Sequence, residues 1–153
     1  MLIVFFDVRG IVHKEFVPPG ETVNGKFYRE VIRRLTARVR RVRPEIADSW
    51  ILHHDNAPSH TCLLVSEELA THSRATLPQP PYSPDTAPPD FFLFPKIKRV
   101  LKGKRFGTLE AVQLATTRAL DALQVADFQG AFEDWKIRYQ RVIDSNGDYF
   151  ERF

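Results

Sequence analysis

The stretch NGKFYREVIRRLTARVRRVRP, residues 24–44, decides how the rest of the chain is read. Phe27, Val31, Leu35 and Val39 recur every four residues, with Tyr28 and Ile32 beside them. That spacing lays one apolar stripe along an α-helix, and arginines fill its other face. Asn24 offers a side-chain oxygen to the unpaired N–H groups at the helix start, and Pro44 stops the helix.

Working outward, LIVFFD (2–7) is a short β-branched and aromatic run. VRG follows as a turn, and IVHKEFV (11–17) alternates Ile11, His13 and Glu15 against Val12, Lys14 and Phe16. Two such runs around a turn containing Gly10 predict an antiparallel hairpin. PPGETVNG ends its second strand, because proline cannot donate to a ladder. On the other side, WILHH (50–54) is too short for an amphipathic helix and reads as a strand. Strand, long helix and strand predict a crossover unit in a mixed sheet.

Further on, HTCLLVSEELATH (60–72) reads as a helix and ATLP (75–78) as a brief edge or parallel strand. Seven of the 11 prolines then fall between Pro78 and Pro95, which predicts a semi-rigid loop. PQPP within it matches the PxxP pattern of SH3 ligands, a pattern common by chance. FFLFPKIKRVLKGKRF reads as helical after Pro95, ending near Gly103. Thr108 can cap TLEAVQLATTRALDAL, whose apolar face is Leu109, Val112, Ala119 and Leu123. A last helix over 127–143 carries Phe128, Phe132, Trp135, Tyr139 and Val142 as core, before Gly147 breaks it. No internal repeat and no second domain are visible. The expectation is one α/β domain over residues 1–153, with the helices after about 108 as a C-terminal flank.

The 153 residues, 43% hydrophobic and 27% charged, are ordinary for a globular domain with a real core. No apolar run approaches bilayer length, and MLIVFFDVRG is too short and lacks the basic start of a secretory signal. A single cysteine, Cys62, excludes an internal disulfide and suits cytosol or nucleus. The net charge is only +3, but seven arginines lie between Arg29 and Arg43 and six Lys or Arg between Lys96 and Arg105. Such clusters suit a polyanion, although a solvated helix face explains them as well.

HHDNAPSH (53–60) is where chemistry could sit. His53, His54 and His60 could ligate zinc, but zinc wants a closed set of ligands and only Cys62 is near. Asp55 lies just past a strand end, and a carboxylate there suits a hard cation such as Mg²⁺ or Mn²⁺; Asn56 can add an amide oxygen. Asp90 follows after 34 intervening residues, at a helix start. From residue type and spacing alone, these aspartates read as turn and helix-cap residues ahead of a two-metal site.

VRGIVHKEFVPPGETVNGKFY, HHDNAPSHT, LPQPPYSPDTAPPDFFLFPKIK and FEDWKIRYQRVIDSNGDYFE resemble, in that order, the catalytic domain of mariner-type transposases. The resemblance covers nearly the whole chain. It implies an RNase H-like fold, three metal-binding aspartates, Mg²⁺ or Mn²⁺ as cofactor, and metal-dependent cleavage and transfer of DNA strands at transposon ends. Asp55 then matches the second catalytic aspartate and Asp90 the third, at the family's 34-residue interval; Asp85 belongs to the motif without ligating. Asn56 and His60 would support the site, and Lys98, Lys102, Lys104, Arg105, Arg138 and Arg141 are candidate phosphate contacts. Members fused to a histone methyltransferase carry asparagine at the third position, from which Asp90 departs.

The family's first aspartate, on the central strand upstream of LIVFFDVRG, has no match in these residues, nor do the DNA-end-binding modules, linker and clamp loop. Asp7 and Asp48 read as turn and loop residues rather than substitutes. The expectation is therefore a partial domain, catalytically inert or nearly so, with two exposed sheet edges. It could be completed by a homodimer partner or a full-length relative supplying a strand. Three functions compete: a nuclear transposase fragment, a DNA-binding module without cleavage, and a decayed relic with no function.

Overall fold

The long helix forms as expected. The computed structural model describes residues 1–77, 79 and 86–144, and α1 spans Gly25–Val42. The Asn24 side chain accepts from the Phe27 N–H at 2.8 Å, capping the first turn. Tyr28, Val31, Ile32, Leu35, Thr36 and Val39 are buried along one face. With Val12, Leu52, Val65 and Leu69 from other elements, all of these but Thr36 make the apolar core of the first unit. Each large apolar side chain so buried contributes about 1.5–3 kcal/mol.

The residues fall into two compact units, 1–6 with 11–81 and 7–10 with 82–153. β1 (Leu2–Asp7) pairs with β2 (Gly10–Phe16), and the Val17 N–H donates to the Met1 carbonyl at 2.8 Å. A two-residue connection with its far ends joined makes this an antiparallel hairpin. Asp7 closes the turn by accepting from the Arg9 N–H at 2.9 Å, and Gly10, at φ +126°, adopts a backbone that side chains disfavour. Asp48 lies exposed in the loop before the next strand.

β3 (Leu52–His53) runs parallel to β4 (Thr76–Leu77), with Leu52 opposite Thr76. Strand, helix α1 and strand are present in the expected order. The strands are shorter than WILHH and ATLP suggest, and among the described residues the two orientations occupy two separate two-stranded sheets rather than one. Arg74 ties this region together: its guanidinium lies 4.0 Å from the Trp50 ring and donates to the Trp50 and Ala47 carbonyls.

The helix expected over 60–72 is two helices, α2 (Pro58–Thr61) and α3 (Leu63–Thr71). Cys62 between them is extended, at φ −70° and ψ 164°. Its Sγ packs so tightly on Gly25 that a Cβ there would lie 2.4 Å from it. The break thus accompanies a close approach of the Cys62 turn to the start of α1, which periodicity does not register.

In the second unit, helix begins before Pro95, not after it. A π-helical turn over Pro89–Leu93 leads directly into α4 (Phe94–Leu101). Pro95 has no N–H for the carbonyl four residues back, and the wider turn just upstream absorbs that mismatch. Gly103, at φ +78°, follows the end of α4. Thr108 caps α5 (Leu109–Asp121) by accepting from the Ala111 N–H at 3.1 Å. The buried face of α5 is Thr116, Ala119 and Leu120; Leu109, expected inside, is 50% exposed. In α6 (Val125–Asp144) only Phe128 of the expected aromatic set is fully buried, edge-on to Phe92 at 5.5 Å. Phe132, Trp135 and Tyr139 are half-buried along the helix, Phe132 meeting Trp135 edge to face and Trp135 tilted against Tyr139. Apart from Gln79, the PQPP match lies outside the described residues, as do Asp85 and Gly147. No helix among those described is long and apolar enough to cross a membrane.

Candidate functional site

Asp55 sits in the turn between β3 and α2, and its side chain is 65% exposed. Its Oδ1 accepts from the Ala57 N–H at 2.9 Å, which folds the turn back on the carboxylate. The same oxygen lies 2.6 Å from His60 Nδ1. Oδ2 has no hydrogen bond among the described residues. Asn56 anchors the turn from the other side, donating from Nδ2 to the Gln79 carbonyl at 2.8 Å.

Behind the carboxylate is a stack that sequence reasoning missed. The His60 ring lies on Tyr28 with centroids 3.9 Å apart and parallels His54 at 5.3 Å. His60 is the third residue of α2 rather than its start. Burial pushes the His54 imidazole down to about 4, helped by His60 and opposed by Asp55. Burial and the Asp55 charge push the Tyr28 hydroxyl up. The 3.0 Å contact of Tyr28 Oη with His54 Nδ1 is then a phenol donating to a neutral imidazole. His53 is held apart from this stack: its Nδ1 donates to the Leu77 carbonyl at 3.1 Å, and burial lowers its basicity. The available signal was Tyr28 on the buried stripe of α1 together with two histidines ending a strand. Their contact across 26 residues was not legible.

Asp90 belongs to the second unit, exposed in the π-helical turn, with its N–H donating to the Ala87 carbonyl at 2.9 Å. The first turn of a helix favours a carboxylate. No group of three or more His, Cys, Asp or Glu suited to a metal converges among the described residues. Asp55 and Asp90 are hard oxygen donors of the kind that Mg²⁺ and Mn²⁺ take.

The basic clusters differ in availability. On α1, Arg33 pairs with Glu30 and Glu68, Arg34 with Glu15 at 2.7 Å, and Arg38 donates to the Val12 carbonyl. That face is largely committed within its own unit. Lys98, Lys102, Lys104 and Arg105 are exposed at and beyond the end of α4, and Arg141 is exposed on α6. Arg138 is half-buried, bonded to Asp134 at 3.1 Å and stacked 4.2 Å from the Phe91 ring.

A family model described as a transposase, partial DDE domain, matches residues 1–48. The Mariner Mos1 transposase of Drosophila mauritiana is 33% identical over 154 residues, covering 99% of this chain and 45% of the relative. The human histone-lysine N-methyltransferase SETMAR is 28% identical over 153 residues, covering 99% of this chain and 22% of its own length. The chain thus spans less than half the length of the curated relatives it matches. Among solved structures, the Mos1 paired-end complex with left transposon end matches at 35% identity and a TM-score of 0.90, over 98% of this chain and 44% of that one. Paired-end complexes of Mos1 are also solved with Mn and with Mg. The isolated catalytic domain of Mos1 matches at 34% identity and a TM-score of 0.90, over 98% of this chain and 75% of that one. That domain has the RNase H-like α/β architecture, and with this likeness in sequence and fold the chain belongs to the mariner-type DDE transposases, within their catalytic domain.

Proposed function

We propose that both units belong to one catalytic domain, contributing to metal-dependent cleavage and transfer of DNA strands, with Asp55 and Asp90 as carboxylate ligands. The carrying observation is Asp55: an exposed carboxylate fixed at a strand end, one oxygen engaged and the other without a hydrogen bond among the described residues. Bound Mg²⁺ or Mn²⁺ would supply charge stabilisation at the attacking and leaving oxygens. The chain's own residues do the positioning. Asn56 pins the turn to Gln79, Ala57 and His60 fix Oδ1, and the Tyr28–His54 pair backs the His60 ring.

Residues 1–153 hold two of the three aspartates that the family resemblance implies. The third carboxylate has to come from outside them, in the same polypeptide or another. A partner molecule could also extend the two-stranded β1–β2 sheet. We therefore expect residues 1–153 by themselves to cleave DNA poorly or not at all. DNA is the partner, contacted through phosphates by Lys98, Lys102, Lys104, Arg105 and Arg141, with Arg138 more constrained, and a nuclear location goes with this reading. Support comes from relatives solved with a transposon end and with Mn or Mg.

The test is Mn²⁺ titration by electron paramagnetic resonance, alongside nicking of supercoiled plasmid. Asp55→Asn and Asp90→Asn should each weaken Mn²⁺ binding by about tenfold or more. Metal binding that neither substitution weakens would refute the ligand assignment. Salt-sensitive DNA binding with no nicking, even when a third carboxylate is supplied by a longer chain, would favour the module without cleavage.

A further inference from the structure

Between α4 and α5 lies a groove of about 510 Å³, and of its lining residues the DNA-binding reading takes only Lys104. Its floor is aliphatic: Ile97, Val100 and Leu101 from α4, Ala119 from α5, and Leu123 just beyond it. Its rim is cationic, with Arg99 from α4, Lys104 after it and Arg118 from α5. Lys96 also lines it but is engaged by Asp127 at 3.7 Å. None of the twelve lining residues is acidic. Arg99, Lys104 and Arg118 have no acidic partner among the described residues. Val100 is 48% exposed, so part of the floor faces solvent.

This combination favours one kind of occupant. Phosphates bind cations on open surface and gain nothing from an aliphatic floor, and Phe106 is the one aromatic lining residue on which a base could stack. Lys98 and Lys102, four positions apart, do not line the groove. α4 therefore divides its cations between two faces, one around an apolar cleft and one free of it. Apolar anchors spaced i, i+3, i+4 and i+7 are what a cleft between two helices accepts, and carboxylates flanking them would meet the rim.

We infer that the α4–α5 groove docks an acidic amphipathic helix of a protein partner, its apolar face on Val100, Ala119 and Leu123 and its carboxylates against Arg99, Lys104 and Arg118. The inference stands apart from the metal site.

The test is fluorescence anisotropy on the full 153-residue chain. The probe is a labelled synthetic helix of roughly 20 residues, long enough to be helical, with leucines at the anchor spacing and glutamates beside them. A copy with lysines for the glutamates and a DNA duplex run in parallel. Val100→Asp and Arg118→Glu, both at exposed positions, should each weaken the acidic peptide by about tenfold or more. Lys98→Ala and Lys102→Ala should leave peptide binding unchanged while reducing DNA binding. No saturable binding of the acidic peptide up to about 1 mM overturns the proposal, as does equal binding of the lysine peptide. So does a pattern in which Val100→Asp and Arg118→Glu reduce DNA binding but not peptide binding, which would make the groove a nucleic-acid surface. Circular dichroism checks the fold of each variant, and Arg118→Glu at the rim carries the test if Val100→Asp loses helix.

Discussion

Replacing Tyr28 by phenylalanine should destabilise the chain by about 1–3 kcal/mol near neutral pH, and by less in mild acid. Tyr28 is 2% exposed and donates its hydroxyl to His54 Nδ1 at 3.0 Å. The substitution keeps the ring that stacks on His60 and removes only the oxygen, leaving a half-buried imidazole nitrogen without that donor. The pH dependence follows from His54. Its folded value, about 4, lies below the ~6.5 of an unfolded histidine, so the folded state binds fewer protons. That contribution to stability is complete above about pH 6.5 and is lost as pH falls toward 4. At full burial the gap would amount to about 3 kcal/mol, and solvent reaching the half-buried ring reduces it to roughly 1–2 kcal/mol. Without the phenol, Nδ1 takes a proton more readily, the folded value climbs, and the variant loses less on acidification. Urea unfolding followed by circular dichroism at about pH 7.5, 6 and 5 measures both effects. A destabilisation that stays constant over that range, or one below about 0.5 kcal/mol at pH 7.5, would refute the donor–acceptor assignment.

Gly25→Ala should lower stability by about 1–3 kcal/mol in the same urea assay, although alanine in a helix ordinarily gains about 1 kcal/mol, because the new Cβ would meet Cys62 Sγ at 2.4 Å. Pairing it with Cys62→Ala should recover most of the loss, and failure to recover would place the strain elsewhere. DNA affinity, measured against salt, should fall linearly on logarithmic axes. Lys98→Ala should shallow the slope by about one while changing affinity for all sequences alike. A base-specific change would contradict a phosphate role.

How much was legible in advance depends on how far apart the interacting residues lie. α1 was readable because its signals are local: apolar residues every four positions, Asn24 three residues before the N–H it accepts from, Pro44 just past the end. The hairpin and the Thr108 cap were readable for the same reason. The arginine cluster was visible, but its use was not. Arg34 meets Glu15 and Arg33 meets Glu68, 19 and 35 residues away, so much of a face that could serve a polyanion neutralises its own unit instead.

Of the candidate site, the sequence by itself determined the residue types and the order of the motif: a carboxylate after a strand, an asparagine beside it, a second aspartate at a helix start. Tertiary structure decided what surrounds them. Cys62 closing on Gly25 splits the helix after the motif, and His60 lies within the short helix before that split, against Tyr28 and Asp55. Periodicity and capping act over one helical turn and are written in neighbouring letters. The steric fit of a sulfur against a glycine, and the protonation of a ring buried on a tyrosine 26 residues away, exist only once the chain has brought them together.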